Sequence, residues 1–472
     1  MIAHRFILLS LLFFSLTPSV FAVGVDLNGY FRTRYNLNYN QDLDRSQKPN
    51  ARNYADFRFR LDPTFFITEK IRIKSSFNIM DGAVGNTNFR GIPYDNPASN
   101  SHALLNNTTA SGSGAQVGKP LLDSEMDSWV YGGAYAPDAA MQTTGVGPIQ
   151  LRRAWLEYET PYGILKAGRM PFHLGIGIFA NAGDGLDQEI GTTRDRLAFE
   201  TTFGSYYLVP SLSWVYEGLI DRGADDVYEF GFQMGRKSDD NDLGLYISYL
   251  GQARSADPGT NGSLAGSPTK MWMIDFYGKN RFGPVELSGE LNLFTGKHIG
   301  RDLLAINSAL RSDWLVRSDF NVLVEGGYSS GTSAGDVANR DLKTMAFNRD
   351  YNISYILFEE AIPGGINRTG SAAYAPHSGS LSNAIYGRLY SQFRWTSWYH
   401  PAIQLVSAFA AKNIGTGGKF YGLEYGLIND FPLGEYVSTN FVLAALQPGS
   451  FYKSVSKKQF TFLSRAGLIV KF

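Results

Sequence analysis

The sequence contains no cysteine among its 472 residues. A secreted protein of this size would therefore have to hold its fold without disulfide bonds. The absence also excludes a lipoprotein, because that class carries its lipid on a cysteine. Whatever stabilises the chain must be packing, hydrogen bonds and ion pairs.

An excess of either charge is also absent, since 43 lysines and arginines balance 43 aspartates and glutamates. Proteins that bind nucleic acid need clustered positive charge to neutralise phosphates. The balance therefore predicts no nucleic-acid partner. The mean hydropathy of −0.17 is mildly polar, which fits a chain in which apolar and polar residues alternate.

The sequence has no long apolar run, and its longest N-terminal one spans Phe6 to Leu16. A transmembrane helix needs about 20 residues, so this run is too short. It follows His4-Arg5 and precedes Pro18 and the small-residue site Val20-Phe21-Ala22. That order is typical of a secretory signal peptide. We expect residues 1–22 to be cleaved after Ala22, leaving 23–472 as one domain; the alternative is a retained anchor helix.

Candidate catalytic and metal-binding residues are scarce. Beyond the signal only five histidines occur, and none sits in a nucleophile motif. Asp123, Glu125 and Asp127 alternate in one long loop but lack the spacing of a recognisable calcium site. The sequence thus predicts no enzyme, no cofactor and no metal. The histidines are His102, His173, His298, His377 and His400.

What the chain does have is 32 Phe, 27 Tyr, 51 Gly and a period-2 alternation of apolar and polar residues. Phe57, Phe59 and Leu61 alternate with Arg58 and Arg60, for example. Such alternation is typical of strands with one apolar and one polar face. We predict about eighteen strands (16–18), near 25–39, 54–66, 71–82, 149–160, 164–172, 194–203, 207–219, 227–236, 243–253, 269–281, 285–296, 305–316, 320–330, 381–396, 401–411, 419–429, 436–446 and 458–472.

The connections between these strands tend to alternate between short and long. Turns such as Pro161-Tyr162-Gly163 are short, whereas 83–148, 173–193 and 331–380 are long. Short periplasmic turns and long extracellular loops are typical of outer-membrane barrels. The predicted fold is therefore all-β: a transmembrane antiparallel up-and-down barrel with both ends on the periplasmic side.

The last predicted strand gives the most specific signal. It alternates apolar residues on one face and ends on a terminal phenylalanine, like the C-terminal insertion signal of outer-membrane barrels. This strand must pair with the first, because lipid cannot satisfy an open sheet edge. The signal residues are Phe460, Phe462, Leu468, Val470 and Phe472.

The mature chain resembles Gram-negative outer-membrane barrels of the porin type. In predicted size it is similar to the eighteen-stranded members, the substrate-specific porins and the alginate-export proteins. Segments found in several such families carry the resemblance: Gly168-Arg169-Met170-Pro171, Gly175-Ile176-Gly177, Asn181-Ala182-Gly183 and Phe347-Asn348-Arg349-Asp350-Tyr351. The resemblance implies an integral outer-membrane location, contact with lipid and lipopolysaccharide, and insertion by the barrel-assembly machinery.

Charged residues on the polar face of the predicted strands are unevenly distributed. Strands 1 to 6 carry a predicted basic wall of the lumen, and strands 8 to 13 a predicted acidic wall. The two together would set a field across the pore. The alternative is cross-strand pairing with little selectivity. The basic residues are Arg32, Arg34, Arg58, Arg60, Arg72, Lys74, Arg153, Lys166, Arg194 and Arg196; the acidic ones are Glu229, Asp275, Glu286, Glu290 and Glu325.

Two of the long loops are candidates for narrowing the lumen. Segment 173–193 is rich in glycine, and 331–380 contains an apolar stretch from Tyr351 to Ile362 that needs to be buried. The leading function is a passive channel for small hydrophilic, anionic or saccharide solutes. A surface or adhesive barrel without transport and a partner-gated polysaccharide export pore remain alternatives, and the oligomeric state is open.

Overall fold

The fold was analysed in a computed structural model of the chain. It describes residues 24–40, 51–83, 149–188, 191–216, 227–252, 268–298, 300–333, 335–336, 339–359, 380–413, 418–452 and 459–472. The strands are β1 (Gly24–Tyr39), β2 (Ala51–Phe66), β3 (Ile71–Ala83), β4 (Gln150–Thr160), β5 (Gly163–Pro171), β6 (Thr193–Phe203), β7 (Tyr206–Tyr216), β8 (Val227–Lys237), β9 (Asn241–Gln252), β10 (Thr269–Phe282), β11 (Val285–His298), β12 (Arg301–Arg317), β13 (Phe320–Ser329), β14 (Asp341–Leu342), β15 (Ala384–Phe393), β16 (His400–Ala410), β17 (Phe420–Pro432), β18 (Val437–Pro448) and β19 (Thr461–Lys471). A 3-10 turn covers Ser450–Tyr452.

Eighteen of these strands form one closed antiparallel barrel, and the two-residue β14 is an addition to it. Each barrel strand pairs with its neighbours in the chain, and β19 pairs with β1 from Tyr30↔Lys471 to Tyr39↔Phe462. The backbone groups of Gly29 and Phe472 also bond to each other, at 3.0 and 3.2 Å. Closure leaves no unpaired edge, which is the condition for strands in lipid.

Alternation along the strands separates a lumen face from a lipid face. In β1, Arg32, Arg34 and Asn36 are buried, while Tyr35 and Leu37 are exposed on the outside. Because successive side chains of a strand point to opposite faces, the same parity repeats around the barrel. The outer face accordingly carries exposed apolar residues such as Phe230, Phe276 and Leu310.

The interior of the barrel is not lined by polar residues alone. Two apolar clusters lie inside it, one around Phe347, Ile356 and Tyr421, the other around Phe179, Met273 and Phe294. Both contain residues from inter-strand loops together with inward-facing residues of strands. Part of the lumen is therefore filled by the chain itself.

The predicted all-β barrel of about eighteen strands is confirmed, and each predicted strand overlaps an observed one. The ends differ where strands run further toward the long loops: β12 begins at Arg301 rather than at residue 305. The pairing of β12 with β11 continues to His298↔Arg301. Polar residues there extend the strand past the segment in which apolar and polar residues alternate. Of the predicted long loop 83–148, residues 84–148 lie outside the described part, as do residues 1–23. Among the described residues, no helix is both long and apolar enough to cross a bilayer.

Candidate lumen constriction

The connection between β5 and β6 runs through the inside of the barrel. We call residues 172–192 loop A; its residues 189–190 lie outside the described part. Loop A contacts Arg58 on β2 and Glu290 on β11. These strands are nine positions apart in a barrel of eighteen, which is half of its circumference. Loop A therefore crosses the lumen from one wall to the opposite one.

The second half of loop A is held by arginines of the predicted basic wall. Arg58 donates to the carbonyl oxygen of Gln188 at 2.8 Å, and Arg32 donates to that of Leu186 at 2.5 Å. Arg60 donates to the carbonyl of Gly183 at 3.1 Å. Loop carbonyls have no partner strand, and guanidinium groups satisfy them with charge-assisted hydrogen bonds.

Asp184 gives loop A an ionic attachment to the same wall. Its carboxylate lies 2.7 Å from Arg60 and 2.7 Å from Arg153, while its side chain remains 57% exposed. Arg153 also donates to the carbonyl of Ala182. Desolvation alone would raise the pKa of Asp184, but the two guanidinium groups outweigh it and hold that pKa below its ordinary value.

The first half of loop A is held by one carboxylate on the far wall. Glu290 accepts hydrogen bonds from three consecutive backbone N–H groups, those of Gly177 (2.9 Å), Ile178 (3.2 Å) and Phe179 (2.8 Å). The side chain of Glu290 is buried. Hydrogen bonds to a charged group contribute about 1.5–3 kcal/mol each, so this carboxylate is a strong attachment point.

A second inner segment, residues 343–359, has the same kind of attachment; we call it loop B. Glu424 on β17, which is fully buried, accepts hydrogen bonds from the N–H groups of Tyr355 (2.6 Å), Ile356 (3.0 Å) and Leu357 (2.8 Å). Loop B thus repeats, on another strand, the arrangement of a strand carboxylate holding three successive amides.

The two loops also bind each other. The N–H of Asn348 donates to the carbonyl of Ile178 at 2.7 Å, and the side-chain amide of Asn348 donates to Thr192 Oγ1 at 2.7 Å. The N–H of Gly191 donates to the carboxylate of Asp350. Loops A and B therefore form one connected body inside the barrel.

Glycines allow loop A to approach its neighbours this closely. Gly175 has φ +51°, and a Cβ added there would lie 2.6 Å from Tyr277 Cβ and 2.7 Å from Glu290 Oε2. Gly183 and Gly191 also have positive φ, and a Cβ on Gly183 would lie 2.4 Å from the Gly191 Cα. The glycine-rich sequence thus permits close packing within the lumen.

The remaining residues of the predicted basic wall have polar partners close by. Arg34 bonds Asp56 at 3.0 Å, and Arg196 donates to Ser213 at 3.1 Å and lies over the ring of Phe172. Nearer the short-turn end, three cations remain partly accessible and form ion pairs: Arg72 with Glu159 (3.0 Å), Lys74 with Glu157 (3.1 Å) and Lys166 with Glu200 (2.6 Å).

The acidic-wall residues are likewise engaged by neighbours. Glu229 lies 2.9 Å from Arg194 in a pair with no exposure, so at this point the two predicted walls meet. Glu286 pairs with Lys279 at 2.8 Å. Glu325 accepts hydrogen bonds from Tyr351 and Tyr386 at 2.8 and 2.6 Å.

Glu290 has a polar partner beside it. The side-chain amide of Asn292 donates to both Asp275 and Glu290, at 3.3 Å for the latter. The predicted wall residue Asp275 is thereby brought next to the carboxylate that holds loop A. Both lie on the inner face of the barrel, where they are buried.

Glu424 and Asp184 were not among the residues singled out from the sequence. Glu424 alternates with Leu423 and Tyr425 like any lumen residue, and nothing local marks it as a loop anchor. Among the described residues, no group of three or more His, Asp or Glu side chains is arranged to hold a metal. The candidate Asp123, Glu125 and Asp127 lies outside the described residues.

No protein-family model matches this chain, and no curated protein matches it. Solved structures do. OccK11 (OpdR) of Pseudomonas aeruginosa has 10% sequence identity and a TM-score of 0.51, covering 95% of this chain and 96% of its own. OccAB4 of Acinetobacter baumannii has 8% sequence identity and a TM-score of 0.50, covering 95% of this chain and 98% of its own. OccK3 (OpdO) of P. aeruginosa has 8% identity and a TM-score of 0.50, covering 95% of this chain and 96% of its own.

The fold and the lumen together define the class: an integral β-barrel protein of the outer membrane, closed by eighteen antiparallel strands. Within that class, the fold is similar to that of OccK11, OccAB4 and OccK3. Because the sequence identities are 8–10%, this similarity concerns the fold alone.

Proposed function

We propose that the chain is a passive outer-membrane channel for small hydrophilic solutes, with a preference for anionic or saccharide molecules. The observation that carries the proposal is loop A, which crosses the lumen between the basic wall and Glu290. In large barrels, an inward loop narrows an otherwise wide aqueous channel and exposes passing solutes to the charges around it.

The anionic preference rests on the partly accessible cations at the short-turn end. Arg72, Lys74 and Lys166 lie on the lumen face with side chains 27–34% exposed. Guanidinium and ammonium groups attract carboxylates and phosphates. Arg58 and Arg60 donate hydrogen bonds to loop A. They therefore contribute to selectivity through their charge and also through the position of that loop.

Purified protein in planar lipid bilayers tests the proposal. We expect stepwise conductance and, in a salt gradient, a reversal potential that indicates anion preference. The double variant Arg72→Gln, Lys74→Gln should shift that potential toward cation preference while conductance steps persist. Arg317→Gln, at the exposed end of β12, is the control. Unchanged selectivity in the double variant would reject the basic-wall assignment.

The second candidate is a surface barrel without transport, and the two apolar clusters inside the lumen favour it. They bury Phe347, Ile356 and Phe358 of loop B against the wall, as a plug would. Complete absence of conductance from correctly folded protein would support this reading and reject the channel.

A further inference from the structure

We infer that Glu290 and Glu424 are positioning residues that hold loops A and B as a single strap across the lumen. Releasing either loop from its glutamate detaches the strap from the wall and widens the lumen. The inference deepens the proposed function and rests on it for the effect on conductance. Neither loop is covalently fixed within the lumen. Its place there depends on groups that the barrel wall presents to it.

Both attachments use the same chemistry. Three successive N–H groups of a non-regular segment converge on one carboxylate, Glu290 in loop A and Glu424 in loop B. Consecutive backbone N–H groups form a concave anion site. In both cases the two carboxylate oxygens share the three N–H groups, so each glutamate fixes the course of its loop.

The two loops are also connected to each other. Asn348 bonds both Ile178 and Thr192, and Asp350 accepts a hydrogen bond from Gly191. Ile178 of loop A also lies in the apolar cluster formed by Phe347 and Ile356 of loop B. Displacing one loop would strip partners from the other, so the two move together.

The two ends of loop A are held in different ways. Its Asp184 end is held by arginines on β1, β2 and β4, whereas its first half relies on Glu290. At the Glu290 end, one carboxylate accepts three hydrogen bonds, and apolar packing of Phe179 with Met273 and Phe294 adds to them. Glu290 and Glu424 are positions where one substitution weakens three hydrogen bonds between a loop and the wall at once.

The experiment uses the full-length barrel with a reporter cysteine at Ala180, a fully buried residue of loop A. The native chain has no cysteine, so Ala180→Cys introduces the only thiol. Its reaction rate with a membrane-impermeant thiol reagent measures how often loop A is released. Glu290→Gln should raise this rate about tenfold or more, a factor equivalent to about 1.4 kcal/mol.

Glu424→Gln is the decisive variant because Glu424 holds loop B, whereas the reporter thiol lies in loop A. If the loops form one strap, it also raises the reaction rate of the introduced thiol by a similar factor. No change there would overturn the coupling, and no change in Glu290→Gln would overturn the anchor assignment. Glu286→Gln is the matched control, since Glu286 lies on the lumen face of the same strand and pairs with Lys279 and Arg281.

A second measurement separates this inference from the proposed function. In planar bilayers, Glu290→Gln and Glu424→Gln should each increase conductance or its fluctuation, and Glu290→Asp should restore part of the wild-type behaviour. A barrel that never conducts rejects the channel but leaves the thiol rates as a test of the strap. A conducting barrel whose thiol rates do not change rejects the strap alone.

Discussion

Arg194 and Glu229 form a closely matched pair of buried charges inside this barrel. Arg194 and Glu229 lie 2.9 Å apart with no solvent exposure, and the hydroxyl of Tyr246 donates to the same carboxylate at 2.5 Å. Transfer of two charges out of water is costly, and the pair is tolerable only while both members are present. Removing one partner leaves an uncompensated charge.

Arg194→Met should therefore destabilise the barrel by about 3–5 kcal/mol. The measurement is urea unfolding of the protein in lipid vesicles. Lys166→Met is the control, because the Lys166–Glu200 pair on the inner face is 27% and 37% exposed and such pairs contribute about 0–1 kcal/mol. Arg194→Met combined with Glu229→Met should recover much of the lost stability. A loss in the control variant as large as that in Arg194→Met would contradict this account.

Gly175 shows how a single residue sets the approach of loop A to the wall. Both Gly175→Ala and Gly204→Ala place a side chain at positive φ, at a cost of about 1–2 kcal/mol. Only at position 175 would the new Cβ lie 2.6 Å from Tyr277, whereas nothing lies within 4 Å at Gly204.

We therefore expect Gly175→Ala to expose loop A to added proteinase K in intact outer membranes, with cleavage within residues 172–192. Gly204→Ala should leave the loop resistant. Equal resistance of the two variants would show that the loop tolerates the added methyl group.

At the scale of elements, strands were predictable and inner loops only in part. Period-2 alternation is a local property, so β1 or β11 can be located from its own residues. The attachment of loop A depends on Glu290, 113 positions from Gly177 in the sequence. A glutamate with alternating apolar neighbours is typical of any lumen face, so sequence alone gives no sign that Glu424 bonds a distant loop.

Asp184 makes the attachment of loop A dependent on pH in a defined direction. Its folded pKa is held below the ordinary value near 3.9. The released loop would bind a proton more readily than the attached loop, so the ionic attachment is fully present above about pH 4. It is lost as pH falls through the lower pKa of the attached state.

Conductance of the wild type should therefore be insensitive to this group between pH 7 and pH 5. Asp184→Asn should produce at neutral pH the loop release that the wild type shows only in strong acid. Conductance recorded over a pH series checks this, with Asp187→Asn as the neighbouring control. A wild-type transition near neutral pH that persists in Asp184→Asn would assign the pH dependence to another group.

At the scale of the whole molecule, stability depends on closing the barrel between its first and last strands. The predicted signal residues Phe460, Phe462 and Phe472 have outward, exposed side chains in or next to β19. Gly29 and Phe472 exchange backbone hydrogen bonds, and a Cβ on Gly29 would lie 2.8 Å from the Phe472 ring and 2.4 Å from the carbonyl of Arg60. The junction of β1 and β19, which we call the seam, has no room for a side chain at residue 29.

Gly29→Val should reduce the amount of folded barrel in the outer membrane, because the first strand could not lie at its normal distance from both neighbours. Heat-modifiable migration on gels separates folded from unfolded barrel and measures the yield. Gly387→Val, on β15 with nothing within 4 Å of its added Cβ, should fold normally. An open seam leaves backbone groups without partners in lipid, at several kcal/mol each, so closure should fail as a whole. A gradual loss of yield proportional to side-chain size at residue 29 would instead show that the seam adapts locally.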